Sequence, residues 1–416
     1  MPAKGPARRE RAAIPSVGIA LAGGGPLGGI YEVGALIALA DSFDGIDFND
    51  LDVYVGVSSG SFVAAALANG ISPTQMYRLF VDDGADASLS RALFLRPALG
   101  EFARRSLSLA RLIADAALAQ FRIADRRGAL ESIAALGAVL SRTIPTGLFD
   151  QGGLDRFLTR LFSAPARSND FRELRRKLFV IATNLDTGAS TTFGGPGFEH
   201  VPITRAVEAS AALPGLFPPV EIDGVDYVDG ALNKTMHASV ALDAGVRLLF
   251  CVNPLVPFDA SPVPGRDSFG RLAQGGLPMV LAQTFRAIIH SRMEVGMSRY
   301  RAQYPDADIL LFEPDREDAD MFSASIFSYA RRQALCEDAY RKTRKNLLAR
   351  HAAIRPLLAR HGIRLKVEVL SDSGRSMGAA LTDTRPLRAR RPGVRQAARD
   401  LSHTLDRLQA VLAAGR

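Results

Sequence analysis

Val53-Tyr54-Val55-Gly56-Val57-Ser58-Ser59-Gly60 is the stretch whose reading decides the fold. Val53–Val57 is a short apolar run rich in β-branched residues, which reads as a buried strand. A helical pattern follows from about Ser61 to Ala68. The join matches G-x-S-x-G. A tight strand-to-helix turn of that form pushes a serine oxygen out over the sheet edge, and glycines at Gly56 and Gly60 relieve the crowding around it. The plainer reading is a glycine-rich turn with a helix-capping serine, and in a chain with 37 glycines the motif alone separates the two poorly. Ser58 is the candidate nucleophile; Ser59 is expected to cap the helix.

Upstream, Val17–Ala22 is a second apolar run, ending in Gly23-Gly24-Gly25-Pro26-Leu27-Gly28, with a helix expected from Leu27 to about Leu39. Strand–turn–helix twice over predicts a parallel sheet with crossover helices. Consecutive glycines at a helix N-terminus present main-chain N–H groups to a negative charge. In acyl transfer that charge is the oxyanion. Pro26 has no N–H, so Gly24, Gly25 or their neighbours are the expected donors. The same six residues fit the dinucleotide pattern G-x-G-x-x-G. That reading needs an acidic residue about 20 positions on, at the end of a second strand. Asp41, Asp44 and Asp47 are near that distance, but none clearly ends a strand.

Downstream, strands are expected at Leu178–Ala182, Arg247–Val252 and Ile309–Phe312, and helices at 277–300 and 320–350. Asp223-Gly224 between apolar positions predicts a tight hairpin. Asp229, followed by Gly230 and Ala231, ends a strand-like run and can supply a carboxylate base. Spacing alone does not choose it over Asp226 or Asp186. A histidine base is the other possibility, with His237, His290, His351, His361 and His403 all following Asp229. Residues 85–150 have helical spacing and read as an inserted subdomain, either a cap over the site or plain packing.

Three of these segments together resemble the patatin-like phospholipase family: the loop Gly23–Gly28, the turn Gly56–Gly60 and Asp229-Gly230-Ala231. The run from Ala209 to Pro219, Ala-Ser-Ala-Ala-Leu-Pro-Gly-Leu-Phe-Pro-Pro, is similar to the segment preceding that family's aspartate. The resemblance covers roughly residues 16–255. It implies an α/β fold of three layers, α/β/α, around a mainly parallel sheet. It implies a Ser58–Asp229 dyad, an oxyanion hole at Gly23, Gly24, Gly25 and Gly28, and hydrolysis of lipid acyl esters without a metal or other cofactor. Leu27 stands where the family usually carries Arg or Lys. The rival expectation is a catalytically silent lipid- or membrane-binding module on the same fold.

Composition bounds the rest. The 416 residues are 47% hydrophobic and 23% charged, an ordinary globular balance. No apolar run has the length of a membrane span and no signal core follows the basic start, so a cytoplasmic location is expected. Cys251 and Cys336 read as small core hydrophobes. Residues 341–416 hold 18 Lys and Arg against 5 Asp and Glu. A solvated tail is the plain reading of that excess and peripheral contact with an anionic membrane the sharper one. Without an aromatic residue to stack bases, nucleic acid is not the expected partner. No metal-ligand spacing occurs, and the acidic residues Asp315, Glu317, Asp318 and Asp320 read as a solvated loop or helix start. The expected organisation is a basic arm over 1–15, a hydrolase domain over 16–345 and a basic extension over 346–416.

Overall fold

A computed structural model describes residues 16–82, 96–97, 146–261, 271–318 and 331–382. The basic arm, His403 and nearly all of the expected helical insertion lie outside the described residues.

Eight strands build one sheet: β1 (Val17–Leu21), β2 (Val53–Val57), β3 (Lys177–Asn184), β4 (Ser190–Phe193), β5 (Val220–Ile222), β6 (Val225–Asp229), β7 (Leu248–Val252) and β8 (Asp308–Phe312). Pairing runs β8-β7-β1-β2-β3-β6-β5, with β4 also paired to β3. The stretch from β8 to β3 is parallel; β4, β5 and β6 join antiparallel. Strands β1, β2 and β7 are buried along their whole length. That is the signature of a parallel sheet covered on both faces, and it is why they read as continuous apolar runs.

Side-chain alternation divides the interior into two cores. Ile19, Leu21, Tyr54, Phe250 and Val252 face one side, against α1 (Gly25–Ser42), α2 (Ser59–Ala68) and α3 (Pro73–Phe80). Ala20, Val53, Val55, Val57, Leu249 and Cys251 face the other. There they meet α6 (Ala238–Asp243) and, through Met293 and Met297, the 28-residue helix α7 (Gly276–Gln303). The result is the three-layer α/β/α arrangement. Two amphipathic helices not among those expected, α4 (Gly152–Phe162) and α5 (Ile203–Ser210), pack beside the antiparallel end. Both cysteines are buried free thiols.

Asp223 and Gly224 both have positive φ, 53° and 76°, as the two-residue hairpin between β5 and β6 requires. Elsewhere the structure departs from expectation. The first helix starts at Gly25, two residues early, because Pro26 sits in the first turn, where a missing N–H costs nothing. Asp318 is buried and takes Lys342 Nζ at 2.7 Å, so this member of the acidic cluster is not solvated.

The helices α8 (Arg332–Ala349) and α9 (His351–Arg360) continue into a chain that adds Leu347, Ile354, Leu358, Ile363, Leu365, Leu370 and Met377 to the first core. Part of the basic charge here is taken up inside the fold and part is paired at the surface. Arg344 donates to the carbonyls of Arg375, Val369 and Asp372, and Arg350 to Leu311 O. Arg375 pairs with Asp41, Arg360 with Asp308 and Arg364 with Asp44. The described part of this segment is therefore no solvated tail, and its paired cations leave less charge for a membrane than sequence counting suggests.

Candidate active site

Register along β3 brings the candidate residues together. β2 covers one edge of β3 and ends with Val57 opposite Ile181. β4 pairs Val180–Thr183 and so must take the opposite edge. β6 pairs Ala182–Asn184 and is left with the edge that β2 occupies, one position further along. There Asp229 lies opposite Ala182, so the C-terminal ends of β2 and β6 abut head to head. Packing agrees: a Cβ on Gly230 would meet Ile181 O and, at 3.1 Å, Val57 Cγ1.

Ser58 leaves β2 with φ 53° and ψ −125°, a conformation few non-glycine residues adopt and one that lifts its side chain over the strand end. Both of its main-chain groups are held. Its N–H donates to Ser210 Oγ at 2.9 Å, and its carbonyl accepts from Ser61 Oγ at 2.6 Å. Ser210 Oγ in turn donates to Ile181 O at 2.6 Å. The Ser58 hydroxyl donates to Asp229 Oδ2 at 2.7 Å. The other carboxylate oxygen, Oδ1, accepts the Ala231 N–H at 2.8 Å. Asp229 N donates to Ala212 O, and Thr183 Oγ1 donates to Asp229 O.

Ser58 and Asp229 are both nearly sealed from solvent. Burial pushes the Asp229 carboxyl up to about 6, against the opposing pull of its bonds from Ser58 and Ala231. A carboxylate so placed is a stronger base than an exposed aspartate and can take the serine proton directly.

The glycine loop closes over this pair. A Cβ on Gly23 would stand 2.9 Å from Ser58 Cβ and 3.2 Å from Ala231 Cβ, so only glycine fits there. Gly24 is the N-cap of α1, and Gly25 has φ 62°. The first amides of a helix have no intrahelical acceptor, which leaves Gly25 and Leu27 free to donate to a ligand. Gly28 N is committed to Gly24 O, so Gly28 serves by close packing, against Pro254 and Ser59. Gly56 and Gly60 pack where the turn is tightest.

Several expectations are corrected. Ser59 does not cap α2: Ser58 occupies the cap position, and the buried Ser59 Oγ has no hydrogen-bond partner among the described residues. Asp226 is exposed on the outer face of its strand, and Asp186 is exposed in a turn. His237 is buried with its ring nitrogen near Gly230 O at 3.4 Å, and burial lowers it to about 4, which keeps it neutral. His290 lies near Glu294 and Glu313, His351 meets Leu348 O and His361 meets Asp308. None of these described histidines is bonded to Ser58. Asp41 and Asp44 sit at the far end of α1 from the glycine loop, held by Arg375 and Arg364. An 18-residue helix is about 27 Å long, so neither can serve a nucleotide at that loop. No cluster able to hold a metal occurs among the described residues.

Ser210 is the site residue that residue-by-residue reading missed. It lies in the Ala209–Pro219 run, but nothing in that pattern says its hydroxyl fixes the Ser58 amide. Ser210→Ala leaves a buried N–H unpaired and frees the turn. A loss of about 1–3 kcal/mol in stability is expected. Urea unfolding of the purified variant checks this; an unchanged midpoint would show that the bond does not hold the turn.

A family model described as "Patatin-like phospholipase" matches residues 19–242, more than half of the chain. Among solved structures, VipD from Legionella pneumophila is similar at 17% identity and TM-score 0.34, over 79% of this chain and 68% of that one. ExoU of Pseudomonas aeruginosa, solved with SpcU, is similar at 16% identity and TM-score 0.26, over 68% of this chain and 52% of that one. Human GIVD cytosolic phospholipase A2 is similar at 14% identity and TM-score 0.22, over 60% and 45%. The chain thus spans about two thirds of VipD and about half of the other two.

Proposed function

The chain belongs to the patatin-like phospholipase family, and from that premise we propose that it is a serine hydrolase cleaving acyl esters of phospholipids or related lipids, with Ser58 as nucleophile and Asp229 as base. The observation that carries this reading is the 2.7 Å bond from Ser58 Oγ to Asp229 Oδ2, made between residues 171 positions apart.

In the first half-reaction Asp229 takes the Ser58 proton as Oγ attacks the ester carbonyl carbon. Negative charge develops on the carbonyl oxygen, where the amides of the Gly23–Gly28 loop receive it. Asp229 then returns the proton to the departing alcohol oxygen as the ester C–O bond breaks. In the second half-reaction Asp229 takes a proton from water as the water oxygen attacks the acyl-serine, and it passes that proton to Ser58 Oγ as the acyl C–Oγ bond breaks and the fatty acid is released. His237, neutral and directed at Gly230 O, has no part in proton transfer.

The test uses the full chain with a fluorophosphonate probe and a panel of phospholipids, lysolipids and soluble esters. Wild type is expected to be labelled at Ser58 and to hydrolyse at least one panel member. Ser58→Ala should lose labelling and about a million-fold in turnover. Wild-type turnover in Ser58→Ala removes the serine mechanism; a wild type that neither labels nor hydrolyses points to the silent binding module.

A further inference from the structure

Helix α7 has two unlike faces. His290, Met293 and Met297 are buried against the rest of the protein. On the opposite side Leu277, Leu281, Phe285, Ile288 and Val295 are 45 to 69% exposed. Their spacing at 100° per residue keeps all five in one stripe about 80° wide. Arg292 and Arg299 are exposed on the same stripe, which carries no acidic residue.

The helix also touches the segment that follows Asp229 and the segment that packs against the glycine loop. Arg292 Nη1 donates to Leu232 O at 3.0 Å, three residues beyond Asp229. Gln283 bonds to both main-chain groups of Phe258, at 3.1 and 2.7 Å. The segment ending there begins beside Pro254, which packs against Gly24 and Gly28.

We propose that this stripe of α7 is the surface by which the protein seats on a phospholipid bilayer. The apolar side chains enter the boundary between headgroups and acyl chains, and Arg292 and Arg299 meet lipid phosphates. The lipid-ester reading of the neighbouring site supplies the reason for such a surface, and the proposal rests on it to that extent. Charge selects a lipid occupant over a second copy of the chain. Arg292 is partly satisfied by Leu232 O, but self-association through this stripe would bury the Arg299 guanidinium of each copy with no carboxylate on the stripe to receive it. A phosphate-bearing surface supplies the acceptors.

The chain has no tryptophan, so a single one reports its own surroundings. Phe285→Trp in the full chain is mixed with phosphatidylcholine vesicles containing phosphatidylglycerol. Ala287→Trp, exposed about 160° around the helix from position 285, is the control. The emission of Phe285→Trp is expected to shift to the blue and to be quenched by brominated acyl chains, while the control changes little. The double variant Phe285→Asp/Ile288→Asp should partition onto vesicles about a hundredfold less well, since burying one large apolar side chain is worth about tenfold. Hydrolysis of vesicle lipid should fall with it, and hydrolysis of a soluble short-chain ester should not. Ser58→Ala should still partition like wild type, so loss of chemistry and loss of docking are read separately. Unshifted emission at position 285, equal shifts at both positions, or undiminished partitioning of the double variant would overturn the proposal. So would a double variant that turns a dimer into a monomer while vesicle binding stays the same.

Discussion

In the Asp229→Asn chain, ester turnover is expected to fall about ten-thousand-fold while the folded protein becomes more stable at neutral pH. Asparagine keeps the shape and can still accept the Ala231 N–H through its oxygen. Its amide then faces Ser58 Oγ and offers a donor where a proton acceptor is required. The gain in stability follows from burial. The Asp229 carboxyl stands at about 6 in the folded protein against an ordinary 3.8, so between those values the folded chain binds more protons than the unfolded one. The stability linked to this group is fully present below about pH 4 and is lost as pH rises through about 6. The free energy linked to that difference is about 3 kcal/mol. Melting curves of the two chains should coincide near pH 4 and separate through pH 6, with Asp229→Asn higher above it. Wild-type kcat/KM should rise over the same interval along an acid limb near 6. An Asp229→Asn chain within tenfold of wild type would remove Asp229 from the reaction.

Gly60→Ala should cripple the protein by geometry alone. A Cβ there meets Leu21 O and stands 2.6 Å from Ala22 O, main-chain atoms at the end of β1 that cannot rotate away. Helix α2 must move back from the sheet, and Ser58 moves with it because Ser61, in the same turn, holds its carbonyl. A displacement of about 1 Å at the reacting atoms costs about a hundredfold in rate, and overpacking at such a contact costs about 1–3 kcal/mol or more. Turnover and melting temperature of the purified variant measure both. Wild-type values in both would mean that the approach of α2 to β1 is looser than the structure has it.

Much of this was readable in the chain because it is local. A fully buried parallel strand must be apolar throughout, so β1, β2 and β7 announced themselves. An αL-αL hairpin demands residues such as Asp223 and Gly224, and a glycine turn between strand and helix marked Ser58. Less was readable where one residue's role depends on a distant partner. Ser59 looks like a cap by position, yet the strained backbone of Ser58 takes that place. Asp318 looks solvated by composition, yet Lys342 on a later helix buries it. Arg344, Arg350 and Arg375 looked like surface charge by composition, yet their carbonyl and carboxylate partners lie inside the fold.

Local patterning alone established the covered parallel sheet, the glycine loop above its edge and a serine at the strand-to-helix turn, since each depends on neighbours a few positions away. Only the folded arrangement brings Asp229, and not Asp186, Asp226 or the described histidines, within hydrogen-bond reach of Ser58. That proximity depends on where β6 stops along β3 relative to β2, and shifting an antiparallel strand by one residue would turn its carboxylate to the other face. Register between distant strands is settled by packing of the whole sheet, and no short stretch of sequence contains it.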